Sequence, residues 1–224
     1  MHLVNTDVAG MRLSYTSGYL EDAVGAKNAK NPIALFDEWL TDAKKTEHEA
    51  NAMTISTAGK DARPNARIVL LKAFDQRGFV FYTNYNSRKS QNLIENPWAS
   101  ITFYWKERQV RIEGSVTKTS AEESDAYFAS RPRGSQIGAW VSNLQSSKVE
   151  SRAVLESREA EIEKQFEGVD PVPRPDFWGG WRVSCDRIEF WQGRPGRIHD
   201  RIVFEKKVDA NVSDGEWDVA RLMP

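Results

Sequence analysis

Short stretches in which every second residue is apolar recur along this chain, set apart by turn formers and interrupted by longer stretches of helical period. Period-two alternation marks half-buried strands, and a period near 3.6 marks amphipathic helices. Strands are predicted over Ala52 to Thr57, Ala66 to Phe74, Phe79 to Thr83, Ala99 to Trp105, Gln109 to Thr117, Arg182 to Trp191, Arg197 to Phe204 and Glu216 to Leu222. Helices are predicted over Pro32 to Lys45, Ser87 to Glu95, Ser120 to Ser130, Ile137 to Val141 and Lys148 to Phe166. The first has Asn31 as its cap, Pro32 at its opening position and Ile33, Leu35, Phe36, Trp39 and Leu40 on one face. The last is laced with charges at i,i+4 spacing and reads as a solvated outer helix. Residues 1 to about 30 are polar and weakly periodic, which predicts a mobile arm, with Arg12 and Tyr15 standing out in it. The PVPRPDFWGGW segment is rich in Pro and Gly and is expected to be irregular. Antiparallel hairpins with helices inserted between them argue for a mainly β fold, a barrel or roll, and against a parallel α/β sheet.

The stretch from Arg67 to Lys89 carries the densest chemistry. Arg67 to Phe74 and Phe79 to Thr83 are expected to form a hairpin across the turn at Asp75 to Gly78, and the second strand runs straight into a helix capped by Asn86 or Ser87. Arg88 and Lys89 lie in that helix's first turn, where backbone N–H groups are free, so two cations and unpaired donors converge on a site suited to phosphate. Arg67 and Lys72 flank Ile68, Val69, Leu70 and Leu71, and on a regular strand they face opposite sides, which suits two different anions. A second cluster is Tyr127 with Arg131, Arg133 and Ser135, a helix end running into a basic, hydroxyl-bearing loop. Of the histidines only His199 has an informative setting: on a strand it shares a face with Arg197 and Arg201, opposite Ile198 and Ile202, a wall of donors for a planar anion. Gln145 and Ser146 precede the charged helix and read as its cap, and Trp191 reads as core.

Composition narrows the partners. With 31 basic and 32 acidic residues the net charge is -1, so no global field draws nucleic acid or an anionic membrane, and anion binding is local. The one cysteine, Cys185, rules out an intrachain disulfide and a cysteine zinc site, no metal site is expected, and a reducing compartment suits the chain. There is no apolar leader and no run of about 18 apolar residues, so a soluble, cytoplasmic protein is expected. No G-x-G-x-x-G after a strand, Walker loop, H-E-x-x-H or G-x-S-x-G occurs.

Eight segments carry a family resemblance: RIVLLK from Arg67, FYTNYNSRK from Phe81, ERQVRIEG from Glu107, SRPRGSQIGAW from Ser130, FWGG from Phe177, IEFWQG from Ile188, RIHDR from Arg197 and the terminal RLMP. The chain resembles the pyridoxine 5'-phosphate oxidase family from about residue 12 to its end. The resemblance implies a six-stranded, FMN-binding split β-barrel over residues 31–224, with residues 1–30 as a mobile arm and lid. It implies a homodimer with FMN at the interface. The implied reaction oxidises the 4'-alcohol or 4'-amine of the phosphorylated vitamer to pyridoxal 5'-phosphate, electrons passing through the flavin to O₂ and giving H₂O₂. FMN contacts are implied at Arg67, Ile68, Val69, Leu70, Leu71, Lys72, Tyr82, Thr83, Arg88, Lys89, Gln109, Gln145, Ser146, Trp191 and Arg201. Substrate contacts are implied at Arg12, Tyr15, Lys72, Tyr127, Arg131, Ser135, Arg197 and His199. Arg197 and His199 form the implied catalytic pair, orienting the pyridine ring and its 4' substituent, with His199 as acceptor of the alcohol proton. Two rival readings are a different oxidase or flavin reductase on the same barrel, and a carrier that stores FMN or pyridoxal phosphate without chemistry. A flavin store has no use for a second phosphate site, which weighs against the carrier.

Overall fold

Asn31 opens the main body of the chain as its sequence demands: its side-chain oxygen accepts the N–H groups of Ile33 and Ala34, and helix α1 (Pro32–Ala43) follows with Leu35, Phe36, Trp39 and Leu40 buried. The computed structural model describes residues 14–17, 20, 31–207 and 216–224. After α1 come strands β1 (Ala52–Ala58), β2 (Pro64–Leu70), β3 (Ala73–Asp75) and β4 (Gly78–Asn84), helix α2 (Arg88–Glu95), and the long strands β5 (Trp98–Trp105) and β6 (Arg108–Lys118). Helices α3 (Ala121–Ala129), α4 (Arg133–Val141) and α5 (Arg152–Gln165) interrupt the sheet before β7 (Trp178–Val183), β8 (Arg187–Gln192), β9 (Asp200–Lys206) and β10 (Trp217–Arg221) complete it.

Every strand pairing is antiparallel. The ladder runs β2–β1–β5–β6–β7–β4, and the chain leaving β2 ties its ends together, because Leu71 N–H donates to Asn51 O and Lys72 N–H to Val80 O. These are the six strands of the expected split barrel. The split lies in β6, whose residues 108–113 pair with β8 while residues 116–118 pair with β7. Beyond the fork β8, β9 and β10 extend as a wing. Ile55, Phe79, Phe81, Phe103, Val110, Ile112, Ile188 and Phe190 are almost fully buried inside the curl. Phe36 of α1 is the centre of that core, its ring 4.9 Å from both Phe74 and Phe79 and 5.1 Å from Phe103.

Several predicted elements are corrected. Ala66 to Phe74 is not one strand: β2 ends at Leu70 and β3 begins at Ala73, because the chain changes partner at Leu71 and Lys72, so strand parity does not relate Arg67 to Lys72. Only β3 makes the hairpin with β4. Arg182 to Trp191 divides into β7 and β8 at the corner 184–186, and the supposedly irregular WGGW is the first part of β7. Its glycines serve close approach: a Cβ at Gly179 would lie 2.2 Å from the Tyr85 hydroxyl oxygen, and one at Gly180 would lie 2.4 Å from Thr119 Oγ1. The helix expected near Ile137 starts at Arg133, and the outer helix starts at Arg152. The strand expected from Arg197 starts at Asp200, after a 3₁₀ turn over Pro195–Arg197, so strand alternation does not place Arg197, His199 and Arg201 on one face. Cys185 is buried at the β7–β8 corner rather than in a strand.

Candidate active site

Ser87 caps α2, accepting the N–H of Ser90 on its hydroxyl, and thereby fixes where Arg88 and Lys89 emerge. Lys89 Nζ reaches Thr83 Oγ1 of β4 at 3.0 Å, Ser87 Oγ at 3.2 Å and Gln145 Oε1 at 3.4 Å. Arg67 is held on the core-facing side of β2 by Ile55 O at 3.2 Å, Thr57 Oγ1 at 2.9 Å and Asn65 Oδ1. Among the described residues none of Arg67, Arg88 and Lys89 has a carboxylate partner. Burial, with Arg67 adding to it, pushes the Lys89 ammonium down to about 8, and burial followed by Arg88 lowers Arg67 as well. Three cations gathered around a ring of hydroxyls, with Arg67 and Lys89 both lowered, are a site waiting for a negative charge. Gln145 and Ser146, expected as a helix cap, are part of it: Ser146 Oγ accepts the Arg88 N–H at 3.2 Å, from a backbone held at φ 79°. Asn84 and Asn86 anchor that loop by donating to the carbonyls of Ser142 and Asn143.

Next to this cluster is a cavity of about 280 Å³ lined by Tyr82, Thr83, Arg131, Ser135, Gln145 and Trp178, among others. Tyr82, Tyr127 and Trp178 stack almost parallel, with Tyr82 4.0 Å from Tyr127 and 5.5 Å from Trp178. The Arg131 guanidinium lies 4.7 Å from the Trp178 ring and 5.4 Å from Phe128. Among the described residues its buried Nη1 has no hydrogen-bond partner, and burial lowers its pKa. Such a donor calls for an acceptor brought by a ligand. Lys72 is exposed, its Nζ 6.0 Å from the Tyr127 ring. Arg133, grouped with Arg131 by sequence, belongs elsewhere: it donates to the carbonyls of Phe166 and Val169 at the end of α5, in a larger hollow of about 800 Å³. Trp178 is not expected at a site from the sequence, since the Pro- and Gly-rich segment around it reads as irregular.

A second set sits on the wing. Gln109, Trp191 and Arg201 are in register across β6, β8 and β9. Trp191 lies 4.9 Å from the His199 ring, and Tyr15 meets both edge-on at 5.7 and 5.4 Å. Arg201 donates through Nε and Nη2 to Glu189 at 2.8 and 3.1 Å and through Nη1 to Met223 O at 2.9 Å. Burial pushes the Glu189 carboxyl up, but Arg201, Arg111 and Arg187 together outweigh it and hold it below the ordinary value. Among the described residues no hydrogen bond or ring contact joins the wing set to the Lys89 and Arg131 sets. Of the remaining implied contacts, Ile68 is 64% exposed and faces outward, Leu71 is buried, and Val69 and Leu70 are half-buried. Arg12 and the side chain of Arg197 lie outside the described residues.

A mainly β, antiparallel split barrel with a cation cluster at the head of α2 and a buried arginine beside it defines a class of small-anion-binding barrels, and comparison with known proteins gives the family. The profile described as pyridoxamine 5'-phosphate oxidase matches residues 40–166, and that of the pyridoxine 5'-phosphate oxidase C-terminal dimerisation region matches residues 178–224. The chain is 52% identical over 222 residues to the pyridoxine/pyridoxamine 5'-phosphate oxidase of Burkholderia multivorans, covering 98% of this chain and 100% of that one. It is also 52% identical to the protein of the same name from Rubrobacter xylanophilus, covering 97% of each. Among solved structures it resembles PhzG from Burkholderia lata 383 in complex with tetrahydrophenazine-1-carboxylic acid, with TM-score 0.81 and 28% identity over 94% of this chain and 99% of that one. A pyridoxamine 5'-phosphate oxidase-related, FMN-binding protein from Nostoc punctiforme shares the fold, with TM-score 0.65 and 15% identity over 84% of this chain and 96% of that one. The chain belongs to the pyridoxine/pyridoxamine 5'-phosphate oxidase family and is an oxidoreductase. Among the described residues no helix is long and apolar enough to cross a membrane.

Proposed function

We propose that this chain oxidises pyridoxine 5'-phosphate and pyridoxamine 5'-phosphate to pyridoxal 5'-phosphate as a cytoplasmic, FMN-dependent homodimer. The alcohol gives up two electrons and two protons, which convert O₂ to H₂O₂; the amine in addition consumes water and releases ammonia. The observation that carries the reading is the pair of separate anion sites: among the described residues Arg67, Arg88 and Lys89 have no carboxylate partner, and Arg131 has a buried donor unpaired. Two phosphates, one on a cofactor and one on a substrate, account for both.

The first site fits FMN: Arg67, Arg88 and Lys89 would hold its phosphate, with Thr83, Ser146 and Gln145 completing the ring of polar groups. When bound there, FMN would supply the two-electron redox chemistry. The protein's own part is placement. Arg131, Ser135, Tyr127 and Lys72 would bind the substrate phosphate, with the Arg131 guanidinium 4.7 Å from the Trp178 ring. The wing would bring Gln109, Trp191, Arg201, Arg197 and His199. Among the described residues no hydrogen bond or ring contact joins Gln109, Trp191, Arg201 or His199 to the phosphate sites, which supports a two-fold dimer in which each site takes one set from each protomer.

The likeness to PhzG favours a second reading, oxidation of a tricyclic carboxylic acid that carries no phosphate. One experiment addresses both. Purified protein loaded with FMN is titrated anaerobically with pyridoxine 5'-phosphate and separately with tetrahydrophenazine-1-carboxylic acid, following the flavin absorbance. Bleaching by the first supports the proposal; bleaching only by the second replaces it. A protein that takes up no FMN sinks both.

A further inference from the structure

Glu107 sits in the tight turn between β5 and β6, next to Lys106 at φ 51°. Its carboxylate gathers four donors from two consecutive residues near the N-terminus. The Thr16 amide lies 3.1 Å from each oxygen, the Thr16 hydroxyl 3.2 Å from one, the Ser17 amide 2.8 Å from the other, and the Ser17 hydroxyl joins them. The Ser17 hydroxyl first, and then the two amides, hold this carboxyl below its ordinary value. The backbone carbonyl of the same residue accepts the Gly193 N–H at 2.8 Å. Gly193 is bare where Tyr15 passes: a Cβ there would come within 2.7 Å of the Tyr15 ring. Further along, Leu20 N–H donates to Asp200 Oδ2 at 3.1 Å.

Two successive amides aimed at one carboxylate fix the direction of the backbone, and so fix the residue just before them. That residue is Tyr15, whose ring stands edge-on to Trp191 and His199. We propose that Glu107 is a positioning residue: by pinning residues 16 and 17 it holds Tyr15 against Trp191 and His199, so that the N-terminal segment forms one wall of the substrate site. The assignment rests on the reading of Trp191 and His199 as site residues given above. Glu107 touches neither ligand in this scheme; it acts only through Tyr15.

The test uses the full-length, FMN-loaded protein and the variants Glu107→Ala, Glu107→Gln and Gly193→Ala. The last crowds the Tyr15 ring while leaving the carboxylate in place. The readouts are the rate of chymotrypsin cleavage after Tyr15, read by mass spectrometry, the KM and kcat for pyridoxine 5'-phosphate, and FMN affinity as a control for folding. For a partly exposed carboxylate, losing these charge-assisted bonds should speed cleavage and raise KM by roughly 5- to 20-fold in Glu107→Ala, with kcat and FMN affinity moving less than about twofold. Glu107→Gln, which keeps an acceptor oxygen, should fall between it and the wild type. Gly193→Ala should raise KM and cleavage as well. Unchanged cleavage in both Glu107→Ala and Gly193→Ala overturns the proposal, and so does faster cleavage at an unaltered KM, which makes Glu107 a tether with no bearing on the site. If the wild type oxidises none of the substrate, the activity reading fails on its own, and the cleavage comparison still decides whether Glu107 pins the segment.

Discussion

The backbone N–H of Arg194 donates to Nδ1 of His199 at 3.1 Å. A neutral imidazole that accepts at Nδ1 carries its proton on Nε2, so the side chain offers a ligand a donor and not a base. On this geometry His199 would donate to the substrate instead of taking the alcohol proton. His199→Asn, which keeps an N–H donor, should therefore retain most of kcat/KM for pyridoxine 5'-phosphate. His199→Ala should lose about 5- to 10-fold, the worth of one hydrogen bond. Equal losses in the two variants would restore the base.

Arg131 and the α2 cations should separate in their effects. Arg131→Ala removes charge-assisted hydrogen bonds worth about 1.5–3 kcal/mol, a roughly 10- to 150-fold loss in substrate affinity, with FMN still bound. It should also lose part of the preference for the phosphate ester over free pyridoxine. Arg88→Ala should weaken FMN and spare the substrate affinity of the loaded enzyme. Arg131→Lys should behave much like Arg131→Ala, because a point charge replaces neither the fork nor the guanidinium's contact with the Trp178 ring. Steady-state kinetics beside an FMN titration checks all of these; an Arg131→Ala protein that sheds FMN and keeps its KM assigns that loop to the cofactor.

Lys89 makes FMN binding depend on pH. Its pKa is lowered from 10.5 to about 8 in the folded protein, so the unfolded chain holds this proton more tightly. The cost to the fold is present in full below about pH 8 and is relieved as pH rises from there toward the unfolded value. A bound phosphate reverses the preference and keeps Lys89 charged, so binding above about pH 8 must take up a proton. FMN affinity should fall about tenfold between roughly pH 7.5 and pH 9 in the wild type and stay nearly flat in Lys89→Met. Fluorescence titration of the apoprotein at both values measures it, and an equal slope in Lys89→Met would place the titrating group elsewhere.

The dimer has a physical surface to form on. Ile68, Trp98 and Tyr104 are 64%, 53% and 64% exposed on the outer faces of β2 and β5, and Gln109 lies next to Tyr104 in the ladder. The FMN-loaded protein should sediment at about twice the 25.5 kDa chain mass at micromolar concentration. A species at the chain mass that still binds FMN and substrate would refute shared sites.

What could be read from the residues alone was whatever neighbours in sequence are also neighbours in space. Asn31 and Pro32 announce α1, and Ser87, Arg88 and Lys89 announce an anion site, because a helix cap and its first turn are local chemistry. The break at Leu71 and Lys72 was hidden because the apolar run continues through it while the hydrogen-bond partner changes. The Gly179–Gly180 pair misled because small size, not turn geometry, is what Tyr85 and Thr119 require there. Gln145 meets Lys89 across 56 positions, and Glu107 meets Thr16 across 91, so neither pairing leaves a local mark. The assignment of roles to Gln109 and Arg201 came from family resemblance and not from pattern.

The fork in β6 turns on Gly114, where an added Cβ would fall 2.0 Å from the carbonyl oxygen of Ser184. One strand is thus both a stave of the barrel and the root of the wing, and the bare Cα is what lets the β7–β8 corner close against it. Any side chain there would press on the Ser184 backbone and act as a wedge at the root of the wing. A single methyl group there would then move Trp191 and Arg201 relative to Thr83 and Lys89 in the same stroke, without touching any of the four.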